Sequence, residues 1–113
     1  MASGIYNRFK ANLMNKVVDL EADTIKVMLM SSSHSFAATN NVIGDVSTNQ
    51  VSGTGYTSGG AALGSKAVTQ AATTKFDAAD TAWTTVTVTT SHAVIYDETA
   101  TSNLIASLDF GGS

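Results

Sequence analysis

The chain has 113 residues, no cysteine, a formal net charge of −3 and only 13% charged residues. This length is typical of one domain, and we assign residues 1–113 to a single domain with an N-terminal helical part over 1–16 and a β-rich body over 24–113. Disulfides and thiolate metal sites are excluded, and sparse, slightly acidic charge is unfavourable for binding nucleic acid.

Membrane segments are not expected from the hydropathy pattern. The sequence contains no run of about 18 apolar residues, which a membrane-spanning helix would require. The first ten residues also lack the basic and apolar regions of a secretory signal peptide. We therefore expect neither nucleic acid nor a membrane as a partner.

The N-terminal part carries a helical pattern. Ile5, Phe9 and Leu13 are spaced at i, i+4 and i+8, which predicts a helix over residues 4–15 that buries this stripe. Ser3 is placed to cap its first turn. Packing against the protein core is the preferred interpretation, and docking on a partner is the alternative.

A strand is predicted over residues 24–30, because Ile25, Val27 and Leu29 alternate with Lys26 and two methionines. The methionines share the lysine face, so we expect another element or another subunit to cover part of that face. The acidic connector before this strand, residues 17–23, lacks the glycine and ligand spacing of an EF-hand calcium loop, and its carboxylates are interpreted as solvated.

A polar loop over residues 31–41 and a helical turn within 42–51 are expected next. The loop carries His34, and the only other histidine is His92. A metal site built on these two residues is disfavoured, because a structural site needs three or four ligands.

Residues 51–68 are rich in glycine and are interpreted as the crossing point between two halves of the domain. Glycine permits tight turns and close approach of backbones. The spacing of Gly53, Gly55 and Gly59 fits neither a phosphate-binding loop nor a dinucleotide fingerprint, so nucleotide binding is disfavoured.

Several strands are predicted in the second half. They cover residues 62–69, with Leu63 and Val68 inward, then 75–77, and then 84–90 after Trp83, where valine alternates with threonine. Residues 92–96 and 104–110 are expected to form an antiparallel hairpin around a polar loop. One side of the last strand is predicted to lack a partner within the chain.

No catalytic pattern is found, and we expect no enzyme activity, cofactor or metal. Ser91 precedes His92, but neighbours in a strand face opposite sides and should not pair. The carboxylates that a glycosidase would need are expected in solvated turns or at strand ends: Asp77, Asp80, Asp97, Glu98 and Asp109.

A set of ordered markers resembles small virion proteins of tailed bacteriophages. The first markers are Ile-Tyr-Asn-Arg-Phe-Lys at residues 5–10 and Asp-Thr-Ile-Lys-Val-Met-Leu at 23–29. They are followed by the glycine-rich run 45–60, by Lys-Phe-Asp-Ala-Ala-Asp-Thr-Ala-Trp at 75–83, and by residues 93–96 and 104–111. The resemblance spans nearly the whole chain and keeps the order of the markers.

The resemblance implies a mainly β fold, a small antiparallel β-sandwich or open barrel with one N-terminal α-helix, and no cofactor. It implies a virion structural protein, foremost a capsid decoration (cement) protein that binds the major capsid protein and copies of itself in the virion, assembled in the host cytoplasm. The alternatives are a tail, neck or baseplate component, and a carbohydrate-binding β module that uses Trp83, Tyr56 or Tyr96. Relatives commonly continue into a further strand, so either the sheet is shorter here or a neighbouring subunit completes it.

Overall fold

The computed structural model describes residues 3–73, 75–79, 83 and 86–110. The fold is mainly β and antiparallel, with one α-helix in the described residues, as the sequence predicts. The elements are β1 (Gly4–Ile5), α1 (Asn7–Met14), β2 (Ile25–Met30), β3 (Ala61–Ala62), β4 (Ala67–Thr69), β5 (Lys75–Asp77), β6 (His92–Asp97) and β7 (Asn103–Asp109). Two short 3-10 turns, Ile43–Asp45 and Ser47–Asn49, occupy the segment where a helical turn is expected.

A five-stranded sheet in the order β1-β7-β6-β2-β3 forms the body of the protein, and β4 and β5 form a separate two-stranded ribbon. The predicted hairpin is confirmed as β6 and β7. All neighbours in the larger sheet are antiparallel. Its edges are therefore the two-residue strands β1 and β3, which offer little unpaired backbone.

The N-terminal helix is shorter than predicted, because residues 4 and 5 form strand β1 beside β7. Tyr6 is the N-cap residue of α1, and no side chain caps it. The Ser3 hydroxyl instead accepts a hydrogen bond from the Asp109 N–H at 2.8 Å. The predicted apolar stripe is confirmed only at Phe9, which is buried beside Tyr6, whereas Ile5 and Leu13 are about half exposed. Pairing with β7 turns Ile5 away from the helix.

Strand β2 confirms the prediction and is buried on both faces. Met28 and Met30 are inaccessible to solvent and pack with residues from the start of α1, from the segment of the two 3-10 turns, and from β6 and β7. This cluster comprises Tyr6, Met28, Met30, Val46, Val94, Tyr96 and Leu104. The methionine face is thus covered by elements of the same chain. On the opposite face, Ile25 packs with Phe9 and Ile105.

The backbone of the last strand is paired on both sides, which corrects the expectation that one side lacks a partner in the chain. Strand β7 pairs with β6 along its length and with β1 at Ser107 and Ala106. The side of β2 that faces away from β6 is covered by β3 and, on either side of it, by the N–H groups of Leu63 and Val51, which donate to the carbonyls of Ile25 and Leu29. Pairing by a neighbouring subunit is not required at either strand.

The glycine-rich region and the threonine-rich segment differ from the predicted strands. Residues 62–69 are divided between β3 and β4, and Val68 is exposed rather than inward. Thr84 and Thr85 lie outside the described residues, and over 86–90 only an isolated bridge joins Thr87 to Thr54. Within residues 86–90, alternation of valine with threonine therefore does not give a strand. The segment lies over β2 and β6 instead, where Val88 packs near Leu29.

A register shift in the hairpin changes which residues of β7 share a face. Ile95 pairs with Ala106, whereas Tyr96 pairs with Leu104, so Ile105 is the extra residue of a β-bulge. Leu104 consequently joins the methionine cluster, and Ala106 lies on the other face. Simple alternation from Leu104 to Phe110 would have placed both residues on the same side.

Candidate interaction surface and buried polar clusters

An exposed apolar patch lies on the five-stranded sheet beside its β1 edge. We define the sheet patch as Ile5, Ala106, Leu108 and Phe110. Ile5 pairs directly with Ala106, and alternation along β7 places Leu108 on the same face. The Phe110 N–H continues the ladder by donating to the Ser91 carbonyl at 3.0 Å, so Phe110 extends the same row.

The three large side chains of the sheet patch are well exposed: Ile5 by 50%, Leu108 by 41% and Phe110 by 52%. Single exposed apolar side chains are ordinary, whereas adjacent ones on a rigid surface mark interaction sites. Because β7 pairs with β6 along its length and with β1 at Ala106 and Ser107, the patch offers mainly side-chain contact rather than an open strand edge.

A second group of exposed apolar residues surrounds a cavity of about 490 Å³. The cavity lies between the end of α1, the connector before β2, and β4. Leu13, Val17 and Val68 contribute apolar walls, and Asp19 and Asp23 contribute carboxylates. The ribbon is tied to the connector by the Val68 N–H, which donates to the Glu21 carboxylate at 3.1 Å.

The two histidines, which were predicted in unrelated contexts, meet in the interior. His34 and His92 are 2% and 1% exposed, and their rings lie edge to face with centroids 5.2 Å apart. His34 Nε2 hydrogen bonds with the Ser107 hydroxyl at 2.9 Å. The pKa of His34 is lowered, first by burial and then by His92.

Ser91 and His92 do pair, which corrects the prediction from strand geometry. The Ser91 hydroxyl lies 3.0 Å from His92 Nδ1, because Ser91 precedes the first residue of β6 and is not held in the strand conformation. His92 Nε2 lies 3.8 Å from the Asp109 carboxylate. Ser91 is only 5% exposed, so a substrate would have to enter the core to reach its hydroxyl.

Among the described residues, no third side chain is placed to complete a metal site with the two histidines. In the parts of the chain that the structure describes, no three His, Asp or Glu side chains converge in a way that would hold a metal ion. The approach of His34 to His92 is instead accounted for by packing and by the two serine partners. Sequence reasoning missed this pairing because it depends on the 31–41 loop folding over β6 and β7.

The carboxylates predicted in solvated turns or at strand ends fall into four groups. Asp77 and Glu98 are exposed as expected, and Glu98 pairs with Lys26 at 2.8 Å. Asp80 lies outside the described residues. Asp97 contradicts the prediction: it is fully buried, and burial together with the neighbouring Asp23 raises its pKa to about 7. Asp109 is intermediate in exposure.

The three aromatic residues expected to bind sugar are only partly available. Tyr96 is 3% exposed and donates its hydroxyl to the Gly59 carbonyl. Tyr56 is half-buried, and its hydroxyl accepts from the Leu29 N–H and donates to Gln50. Trp83 is half-buried, and its ring centroid lies 6.0 Å from that of Tyr56. Because these side chains pack against the sheet, only part of their ring surface is available to bind a sugar.

Comparisons with protein-family models, curated proteins and solved structures yield no match to this chain. Among the described residues, no helix has the length and apolar character needed to cross a membrane.

Proposed function

We propose that this chain is a structural protein of a tailed-bacteriophage virion, a capsid decoration protein that binds the major capsid protein and copies of itself. The proposal is motivated by the ordered resemblance over residues 5–111 and carried by the sheet patch. The patch supplies what a decoration protein needs: apolar contact area on a surface whose backbone is already fixed by pairing.

The sparse charge of the chain is consistent with this role. Only 13% of residues are charged, and the side chains of the sheet patch carry no charge. Desolvating such a surface costs little, because few ions lose their hydration. Each copy would add a modest contact free energy, and many copies would together reinforce a shell against internal pressure.

A catalytic role has less support than a role in protein–protein contact. Ser91, His92 and Asp109 have the residue types of a catalytic triad, but Ser91 and His92 are enclosed in the core. A nucleophile must be reachable by its substrate, and its base must lie within hydrogen-bond distance of the proton it takes. We therefore propose no enzymatic activity.

The decisive experiment measures binding of the purified chain to heads of the phage that encodes it, prepared without this protein. We expect co-sedimentation with expanded heads and little with unexpanded heads, as for a protein added after expansion. A Leu108→Ser, Phe110→Ser double variant should bind expanded heads on the order of 10–100-fold more weakly, because each lost apolar contact in an interface contributes about 1 kcal/mol or more.

The matched control is Met14→Ser, which removes an 85% exposed apolar side chain outside the sheet patch. It should bind like the unmodified chain, and circular dichroism should show that both variants keep the fold. Association with tails rather than heads would favour the alternative of a tail, neck or baseplate component. Absence of the protein from purified virions would refute the structural role.

A further inference from the structure

The ribbon of β4 and β5 stands apart from the five-stranded sheet. It consists of two strands of three residues each, Ala67–Thr69 and Lys75–Asp77, and most of its side chains are exposed. A two-stranded ribbon is marginally stable in water unless a further strand or a packed face supports it. The two outer edges of the ribbon are the places where a further strand can be added.

The outer edge of β4 is already occupied within the chain. Val68 lies directly opposite Phe76, and the Val68 N–H donates to the Glu21 carboxylate at 3.1 Å. This N–H therefore points away from β5, which makes Val68 and Phe76 a non-hydrogen-bonded pair. The residue pairs on either side of it exchange the backbone hydrogen bonds of the ribbon.

The outer edge of β5 is open. In a non-hydrogen-bonded pair both residues turn their backbone groups outward, so the N–H and C=O of Phe76 point away from the ribbon. In the part of the chain that the structure describes, neither group has a hydrogen-bond partner. The flanking side chains of Lys75 and Asp77 are exposed and form no ion pair with a described residue. Such an edge is a template for pairing with another strand.

We propose that β5 pairs with β5 of a second copy of the chain, antiparallel and centred on Phe76. In this register the two Phe76 residues exchange two backbone hydrogen bonds. The order Lys-Phe-Asp is then complementary to itself, because Lys75 of each copy lies opposite Asp77 of the other. These flanking positions are non-hydrogen-bonded pairs, in which side chains approach most closely and opposite charges are favourable.

The charges select both the partner and its orientation. A parallel arrangement of the same two strands would place lysine beside lysine and aspartate beside aspartate, which is unfavourable. Within the ribbon, Lys75 and Asp77 lie opposite the uncharged Thr69 and Ala67, so β4 does not compete for them. The Asp77 carboxylate is also oriented in advance, because its Oδ1 accepts the Ala78 N–H at 2.8 Å.

This contact is small, since each copy contributes one strand of three residues, and small interfaces are weak in free solution. The inference rests on the proposed function only for the setting in which a weak contact matters. Copies bound side by side on a shell are held at high local concentration, which makes a weak pairing effective. The sheet patch would then bind the shell, and the β5 edge would link neighbouring copies.

The chain has no cysteine, which allows a direct test by cross-linking of the purified full-length protein. Phe76→Cys places two thiols on residues whose Cα atoms are about 5.5 Å apart in the proposed pair, a spacing that suits a disulfide. Under mild oxidation at high protein concentration, this variant should form a covalent dimer. The matched control is Val68→Cys, at a position that is 44% exposed on the occupied edge of the ribbon, and it should form the dimer roughly tenfold more slowly.

Charge reversal tests the register. In the Phe76→Cys background, Lys75→Asp or Asp77→Lys alone places like charges opposite each other and should slow dimer formation about tenfold. A mixture of the two variants should recover the original rate, because opposite charges meet again at both positions. Circular dichroism checks that each variant keeps the fold. If Phe76→Cys does not fold, sedimentation equilibrium of the two charge variants, alone and mixed in the otherwise unmodified chain, provides the same comparison.

Equal cross-linking rates at Phe76 and Val68, or no recovery in the mixture, would overturn the proposal. The outcome is separable from that of the proposed function. A chain that binds expanded heads but fails the cross-linking test would refute the β5 contact alone. A chain that cross-links through Phe76 but binds no heads would refute the decoration role and leave the contact between copies in place.

Discussion

His34 and His92 meet edge to face in the interior, with ring centroids 5.2 Å apart, although they are 58 positions apart in the sequence (92 − 34). The groups around them are Ser107 and Asp109 from β7, Ser91 before β6, and Tyr6 at the start of α1, whose hydroxyl lies near Ser107. The 31–41 loop is thus held by a buried polar contact that depends on the protonation of its histidine.

Stability should decline in mild acid because of His34. Its pKa is lowered in the folded state, so the unfolded chain takes up the proton first as the pH falls below 6.5. The contribution of neutral His34 to stability is therefore present above the unfolded pKa and is lost as the pH falls towards the folded pKa. Denaturant unfolding of the unmodified chain and of His34→Gln between about pH 5 and 8 measures this difference.

His34→Gln should cost about 1–2 kcal/mol at neutral pH, because it disturbs the hydrogen bond with Ser107 and the ring contact. The cost should shrink in acid, since glutamine does not titrate. A constant difference between the two proteins across the pH range would contradict the assignment.

Asp97 should act in the opposite direction to His34. Its pKa is raised from 3.8 to about 7, chiefly by burial and next by Asp23, so the folded state holds a proton that the unfolded state releases. This contribution to stability is fully present below the unfolded pKa and is lost as the pH rises through the folded pKa. Its upper bound is about 4 kcal/mol, and the lowered pKa of Asp23 reduces it.

We therefore expect Asp97→Asn to be more stable than the unmodified chain at about pH 8, with the advantage disappearing towards pH 4. The asparagine keeps an oxygen for the Ala100 N–H. Chemical denaturation at several pH values checks this, and a variant that is less stable throughout would show that the second oxygen of Asp97 has a favourable partner.

Gly60 should not tolerate a side chain. Its φ is +84°, and a Cβ added there would overlap the main chain of Val27 at the β2–β3 pair. Gly60→Ala should lower the free energy of unfolding by about 3 kcal/mol or more, because both the backbone conformation and the close approach are violated. The control is Gly64→Ala, where the added Cβ meets no atom within 4 Å, and it should be within about 0.5 kcal/mol of the unmodified chain.

The hairpin turn between β6 and β7 can be improved. Thr101 and Ser102 both have positive φ, 56° and 52°, and the Asn103 N–H donates to the Ala100 carbonyl. This is the type I′ arrangement, for which Asn-Gly is the preferred pair. Replacing Thr101 by Asn and Ser102 by Gly should raise the free energy of unfolding by about 1 kcal/mol, measured by urea denaturation. A loss of stability would indicate that the native side chains make contacts worth more than the strain.

The pattern of apolar residues in the sequence was sufficient to predict the three longest strands, β2, β6 and β7. Alternation predicted β2 and β7, and a short apolar run predicted β6, each to within one or two residues. Sequence patterning was insufficient to predict β1, because a strand of two residues is too short to show a period. This strand exists only by pairing with Ser107 and Ala106. The valine and threonine alternation over residues 86–90 was misleading, since the sheet positions beside β2 and β6 are already occupied.

The sites were less predictable than the fold, because they depend on contacts between distant segments. From the sequence, Asp97 was predicted to be a solvated turn carboxylate, whereas the structure places it at the buried end of β6, next to Asp23 of the connector. The β-bulge at Ile105 decides which apolar residues remain outside, and a bulge in an apolar run leaves no mark in composition. The sheet patch therefore emerges only once the register is known.

The pairing of Gly4 with Ser107 joins residues about 100 positions apart, and it has a kinetic consequence. Contacts of such long range form late, because the intervening chain must first lose much of its conformational freedom. Refolding should accordingly take milliseconds to seconds rather than microseconds, and on the ribosome β1 must wait, unpaired, until synthesis has passed Ser107.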